Sequence, residues 1–116
     1  MLGLIWLGTR TERFEEMTRF AHDVLGLERE FGEDGMAGYK LPDGSLFEIF
    51  GPGHAGGGHP PDGVAGGFRV DDLKAAIAEL EAAGLEVQPL QSSGGSIGWV
   101  YFRAPDGNLY ELIGPS

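Results

Sequence analysis

Two segments of the chain carry apolar residues at helical spacing, and shorter apolar segments surround each of them. In the first segment the apolar residues, three or four positions apart with charges between them, are Phe14, Met17, Phe20, Ala21, Val24 and Leu25. In the second they are Leu73, Ala76, Ile77 and Leu80. This spacing predicts one amphipathic helix in each half of the chain. Gly26 and Gly84 are predicted to end the two helices, because glycine readily takes the left-handed conformation that closes a helix.

The residues before each helix suggest how it begins. Thr9 and Glu12 have the spacing of a capping box, in which each side chain bonds the other residue's backbone N–H. Asp71 or Asp72 is expected to cap the second helix.

The remaining apolar segments predict four strands in each half. In the first half they are residues 2–9, 28–32, 36–41 and 46–50, and in the second half residues 65–70, 85–90, 97–103 and 109–113. Glycine and proline make residues 51–63 a predicted linker, and residues 91–96 are predicted to be a flexible loop.

An internal repeat supports this division. Residues 42–52 (PDGSLFEIFGP) and 105–115 (PDGNLYELIGP) are identical at seven of eleven positions. Each copy places a Pro-Asp-Gly turn before the last strand of its half, so each half is predicted to be strand, helix and three strands. We therefore expect a single domain over residues 1–116, with half one at 1–52, a linker at 51–63 and half two at 64–116.

Composition narrows the classes of partner. The 116 residues include 18 acidic and 8 basic ones, and the formal net charge of −10 argues against nucleic-acid binding. The chain has no cysteine, which excludes a disulfide framework or a thiolate metal site. No long apolar segment or leader sequence is evident, so we expect a cytoplasmic protein with no membrane partner.

Three segments resemble one protein family. They are Val24-Leu25-Gly26-Leu27-Glu28, Phe68-Arg69-Val70-Asp71-Asp72-Leu73 and the closing run from Phe102 to Leu112. All three resemble the vicinal-oxygen-chelate superfamily, which comprises glyoxalases, bleomycin-resistance proteins and extradiol dioxygenases. The resemblance implies an α+β fold of tandem βαβββ modules that form a curved mixed-sheet cup, and a homodimer. It does not choose among the functions of the family.

The resemblance also implies four metal-ligand positions on the wall of the cup. The two positions on the last strands fall on Glu48 and Glu111, which carry the usual carboxylate. The two positions on the first strands, usually His or Gln, fall on Trp6 and Ala65. Indole and methyl groups do not ligate divalent ions, so we expect no bound transition metal and no cofactor. The two carboxylates alone would suit a hard divalent cation that keeps several waters.

The two glutamates need partners if they are buried. Alternation along the strands puts Glu48 between Leu46 and Phe50, and Glu111 between Leu109 and Ile113, on one strand face. A buried carboxylate needs a partner, and the candidates are a cation, an arginine (Arg69 or Arg103) or the other glutamate sharing a proton. One interpretation is a ligand-binding cavity; the other is a structural salt bridge or a relic of a metal-binding ancestor.

Other side chains are candidates for the same cavity. Trp6, Trp99 and Tyr101 are expected either to line it or to belong to the core. His22 is expected on the surface, and His54 and His59 in a solvated linker.

Three functions remain open at this point. The first is a metal-free protein that binds a small molecule, cationic because the protein is acidic, at Trp6, Glu48, Ala65, Trp99, Tyr101 and Glu111. The second is a divergent lyase, isomerase or dioxygenase that holds a divalent cation at Glu48 and Glu111 and acts on a small oxygenated substrate. The third is a dimeric interaction module whose cavity is filled by its own side chains.

Overall fold

The structure is a computed structural model that describes residues 1–54, 63–92 and 94–116. It contains two helices and nine strands among these residues, in the order β1 Gly3–Arg10, α1 Phe14–Asp23, β2 Arg29–Glu33, β3 Met36–Lys40, β4 Leu46–Phe50, β5 Gly63–Arg69, α2 Leu73–Ala82, β6 Glu86–Val87, β7 Gln91–Ser92, β8 Ile97–Arg103 and β9 Leu109–Pro115. Neither of these helices is long and apolar enough to cross a membrane.

The chain divides into two compact units. The N-terminal unit is Trp6–Val64, and the C-terminal unit is Ala65–Ser116 together with Met1–Ile5. The first residues of the chain therefore belong with the second half of the sequence, where Leu2 N donates to Arg69 O at 2.8 Å.

In the N-terminal unit, the strands are ordered β2-β3-β4-β1. Strands β1 and β4 run parallel, and the other neighbours are antiparallel. The helix α1 covers one face, where Ala21 packs with Ala37, Tyr39 and Ile49. All four of these residues are fully or almost fully buried.

In the C-terminal unit, the strands are ordered β5-β9-β8-β6, and β7 also pairs with β8. Strands β5 and β9 are parallel, as β1 and β4 are. Leu73 of α2 packs with Val70, Val100, Phe102 and Leu112 to form the core. The helix begins at Asp72, whose carboxylate accepts a hydrogen bond from Ala75 N at 3.1 Å.

The α+β class and the tandem βαβββ modules predicted from the sequence are confirmed. Strands β4 and β8 have the predicted bounds, and Asp72 is the cap of α2. Gly26 and Gly84 follow the two helices with φ of +71° and +81°. A side chain at either position would strain the backbone.

The capping box predicted for α1 is wrong. Strand β1 continues through Arg10, so Thr9 is in the sheet, where it pairs with Ile49. The helix begins after Arg13, which makes no side-chain cap hydrogen bond. Thr11 instead accepts a hydrogen bond from Arg13 N at 3.0 Å, just before the first turn.

The strand predicted over residues 85–90 and the loop predicted over 91–96 are also corrected. Only Glu86–Val87 of the former is a strand, and Gln91–Ser92 forms a second short strand against Gly98 and Trp99. Both pieces pair with β8, and Pro89 lies between them. Proline has no backbone N–H to give to a sheet, which explains the interruption.

Candidate functional site

In each unit one sheet face packs against the helix of that unit, and the opposite face carries no helix among the residues that the structure describes. In the N-terminal unit, Phe47 and Ile49 of β4 pack toward α1. Because strand side chains alternate, Leu46, Glu48 and Phe50 lie on the opposite face. The register of β1 against β4 pairs Gly8 with Glu48 and puts Trp6 and Arg10 on that same face. The predicted residues Trp6 and Glu48 thus share the helix-free face.

The indole of Trp6 holds the carboxylate of Glu48. Trp6 Nε1 donates to Glu48 Oε1 at 2.5 Å. The sequence led us to expect a cation, an arginine or the other glutamate as the partner of Glu48, and the hydrogen-bond partner found in the structure is this indole. Trp6 is only 5% exposed. The bond is therefore sheltered from water, which strengthens a hydrogen bond to a carboxylate.

Gly8 leaves the room that this contact needs. A Cβ atom at Gly8 would overlap Cζ2 and Cη2 of the Trp6 ring. The backbone of Gly8 has no positive φ, so glycine is required there for space and not for conformation. The close approach of the ring along its own strand brings the indole N–H to Glu48.

The protonation of Glu48 is set by opposing influences. Burial raises the pKa of the Glu48 carboxyl above its usual range, because the charged form loses hydration. The hydrogen bond from Trp6 and the electrostatic influence of His54 both act to lower this pKa. Burial is the largest of the three influences, so the ionised form of the carboxyl is poorly hydrated, and a bound cation would stabilise that form.

His54 does not lie in a solvated linker, and that expectation was wrong. Its side chain is only 10% exposed, and His54 Nε2 is 2.9 Å from Glu33 Oε1. The imidazole also packs against Phe50, with ring centroids 5.6 Å apart. His59 lies outside the described residues. His22 is exposed beside Asp23, as predicted.

Arg10 lies beside Phe50 on the helix-free face of the N-terminal unit. Its Nη1 donates to Gly51 O at 2.7 Å, and its guanidinium lies 5.6 Å from the centre of the Phe50 ring. Neither Arg10 nor Gly8 was identified from the sequence as part of the site. The sequence did contain a signal for Gly8, because it follows Trp6 by two residues just as Gly67 follows Ala65.

The C-terminal unit repeats the arrangement with different side chains. Gly67 pairs with Glu111, as Gly8 pairs with Glu48. Ala65 lies two residues before Gly67 and thus corresponds to Trp6, as the sequence predicted. Ala65 is 2% exposed and Glu111 4% exposed. The methyl group of Ala65 offers no donor that could replace the indole.

The aromatic candidates Tyr101 and Trp99 lie on β8 of the C-terminal unit. Val100 and Phe102 pack toward α2, so alternation puts Trp99 and Tyr101 on the helix-free face with Glu111. Tyr101 pairs with Glu111 and is fully buried. The Trp99 ring is half-buried, and its Nε1 is buried with no hydrogen-bond acceptor among the residues that the structure describes.

These side chains do not fit a transition-metal site. No three histidine, cysteine or acidic residues come together in the described part of the chain to hold a metal. In the N-terminal unit, the position of a metal-ligating side chain is held by an indole that donates a proton toward Glu48. A proton donor cannot also be a ligand, and Zn²⁺, Ni²⁺ and Fe²⁺ favour imidazole, which neither Trp6 nor Ala65 supplies.

Comparison with known proteins supports a single family. Residues 3–112 match the family model described as the glyoxalase/bleomycin resistance protein/dioxygenase superfamily. No curated protein sequence resembles the chain at a significant level.

Solved structures with low sequence identity share the fold. A superfamily member from Vibrio splendidus 12B01 has 19% identity and a TM-score of 0.71, with 98% of this chain and 99% of that chain covered. Methylmalonyl-CoA epimerase from Mycobacterium tuberculosis has 20% identity and a TM-score of 0.70, with 98% and 88% covered. An extradiol ring-cleaving dioxygenase from B. fuscum has 16% identity and a TM-score of 0.78, with 100% and 33% covered.

Proposed function

The chain belongs to the glyoxalase/bleomycin resistance protein/dioxygenase superfamily, and from this membership and the contact of Trp6 with Glu48 we propose that it is a metal-free small-molecule binding protein. The observation that carries the proposal is the hydrogen bond from Trp6 Nε1 to Glu48 Oε1. A metal ion at Glu48 would have to compete with this sheltered donor, and Ala65 supplies no ligand at the corresponding position of the second half.

The part of the ligand that binds beside Glu48 carries a positive charge. Glu48 is a half-buried carboxylate whose pKa is raised by burial. A cation beside it would offset part of the free energy that the ionised carboxylate loses when it is removed from water. Aromatic rings lie on the same face, where Trp6 and Phe50 accompany Glu48, and such rings attract cations through their π faces. The net charge of −10 attracts the same ligand at long range.

Binding of a cationic probe tests this function. Benzyltrimethylammonium carries a permanent positive charge on an aromatic body, and benzyl alcohol is a neutral control with the same ring. We expect calorimetry to detect the first and not the second, and Glu48→Gln to weaken its binding about tenfold. Glu30→Gln, which removes an exposed carboxylate, is the matched control and should change nothing. Equal binding by wild type and Glu48→Gln would remove the support for a cationic ligand.

A catalytic role is the second candidate, because both halves retain a glutamate on the last strand at Glu48 and Glu111. In that case the protein is a lyase, isomerase or dioxygenase that uses a hard divalent cation. Mg²⁺ or Mn²⁺ that binds with one-to-one stoichiometry and is lost in Glu48→Gln would favour it. We further propose that the protein is cytoplasmic and forms a homodimer. Light scattering of the purified protein tests the homodimer.

A further inference from the structure

The indole N–H of Trp99 is a buried donor that needs an acceptor. Nε1 has no hydrogen-bond partner among residues 1–54, 63–92 and 94–116. Buried polar groups in folded proteins are almost always hydrogen-bonded, since an unpaired one has lost its hydration without compensation. Indole nitrogen can only donate, so whatever satisfies Trp99 must carry an acceptor such as an oxygen.

Arg69 lies in the same row of the C-terminal sheet. Trp99 pairs with Ile113 on β9, and Ile113 pairs with Arg69 on β5. The three residues share the helix-free face, because their neighbours Val100, Leu112 and Phe68 pack with α2. Two strand spacings separate Trp99 and Arg69, or about 10 Å between backbones. Side chains of this length can span that distance across Ile113.

The guanidinium of Arg69 is available for a ligand. Arg69 is exposed, and its side chain makes no hydrogen bond or ion pair with the residues that the structure describes. Arg103 on the same face differs, because its Nη1 donates to Gly107 O at 2.7 Å. The two arginines therefore form a natural pair for comparison, with one guanidinium open and the other held by the protein.

We propose that Trp99 and Arg69 form a subsite for a carboxylate group of the ligand, an inference that rests on the proposed small-molecule binding function. One carboxylate oxygen accepts the hydrogen bond of Trp99 Nε1, and the guanidinium of Arg69 pairs with the charge. Both groups are donors and neither accepts, which selects an oxyanion over an amine or an ammonium. The planar guanidinium matches the geometry of a carboxylate, with which it can form two parallel hydrogen bonds.

The chain has only two tryptophans, so Trp99 can be observed directly. In protein labelled with 15N at the indole nitrogens, NMR gives two indole resonances, and Trp99→Phe assigns them. The probe is benzoate, and benzyl alcohol is the neutral control with the same ring. We expect benzoate to shift the Trp99 resonance in a saturable way and to leave the Trp6 resonance in place. Benzyl alcohol should shift neither resonance.

Variants separate the two donors. Arg69→Gln should weaken benzoate binding about tenfold, whereas Arg103→Gln should leave it unchanged. Trp99→Phe keeps the ring shape and removes the N–H, so benzoate binding, followed by calorimetry, should weaken by about tenfold as well. Because Trp99 Nε1 is buried, a carboxylate can reach it only by displacing atoms that cover it. In the protein without ligand, we therefore expect the Trp99 indole proton to exchange slowly with solvent deuterium.

Three results would overturn this inference alone, and a fourth would overturn both proposals. The first is a Trp99 resonance that benzoate leaves unchanged at all concentrations, with a cross-peak to water that identifies a bound water as the acceptor. The second is equal weakening by Arg69→Gln and Arg103→Gln, which would indicate only general attraction of charge. The third is binding of benzyltrimethylammonium with no response to benzoate; there the proposed function stands and the carboxylate subsite fails. If neither probe binds, both proposals fail.

Discussion

The ring of Trp6 occupies the space that a side chain at Gly8 would fill. A Cβ atom there would overlap the six-membered part of the indole, whose N–H reaches Glu48 at 2.5 Å. The positions of Gly8, Trp6 and Glu48 on the helix-free face of the N-terminal unit thus depend on one another. Gly8 and Trp6 lie two residues apart on β1, and Glu48 lies on the adjacent strand β4.

Gly8→Ala tests whether the contact between Trp6 and Glu48 depends on this glycine. The methyl group should push the indole away, break the hydrogen bond to Glu48, and lower the free energy of unfolding by about 1–3 kcal/mol. Chemical denaturation measures the loss, and the indole resonance of Trp6 should move. Gly66→Ala is the control, since a Cβ atom there would meet only Leu4 Cδ2 at 4.0 Å. A Gly8→Ala protein with an unchanged Trp6 resonance would contradict the account.

Glu48→Gln should change how stability depends on pH. Because burial raises the pKa of Glu48 in the folded protein, its contribution to stability is fully present below the unfolded pKa of about 4.3 and is lost as pH rises through the folded pKa. Glutamine can still accept from Trp6 but carries no charge. We therefore expect Glu48→Gln to be more stable than wild type at pH 7, by about 1 kcal/mol or less for this half-buried group.

The comparison of unfolding curves between pH 3 and pH 8 checks this expectation. The advantage of the variant should shrink toward acid pH, where the wild-type carboxyl is protonated in both states. A variant that is less stable at pH 7 would mean that the charged carboxylate is itself a stabilising element of the N-terminal unit.

Asp72→Ala should destabilise the C-terminal unit. The Asp72 carboxylate accepts from Ala75 N at the start of α2, and loss of such a cap costs about 1 kcal/mol. Asp71→Ala removes the neighbouring acid, which is exposed and does not cap the helix, and should have little effect. Thermal unfolding measures both changes. Similar losses in the two variants would show that general charge near the helix matters more than the cap.

The sequence predicted the parts of the fold that depend on local signals. Both Pro-Asp-Gly turns set the start of the following strand, and Gly26 and Gly84 ended the helices because their backbone has positive φ. The break in the strand after Val87 had its own signal in Pro89, which the apolar pattern around it outweighed. The sequence placed the cap of α2 at Asp71 or Asp72, and the structure identifies Asp72.

The site was less accessible to prediction because it depends on contacts between distant segments. His54 stands in a glycine-rich segment, but Glu33, which it contacts, is 21 positions away in the sequence. The partner of Glu48 is 42 positions away, and nothing local indicates that an indole N–H would serve. Alternation predicted the face of Glu48 and Glu111, and the family resemblance placed Trp6 on the wall of the cup. The register of β1 against β4 was needed to show that Trp6 lies beside Glu48.

The metal content of the purified protein distinguishes a metal-free binding protein from a metal-dependent enzyme. Elemental analysis of the protein as isolated, and again after incubation with Zn²⁺, Ni²⁺, Fe²⁺ and Mn²⁺ followed by desalting, measures bound metal per chain. Trp6→His, which replaces the indole donor beside Glu48 with an imidazole, is the positive comparison and should retain more metal than wild type. We expect far less than one equivalent of any of these metals in the wild type. One equivalent in the wild type, lost on Glu48→Gln, would contradict it.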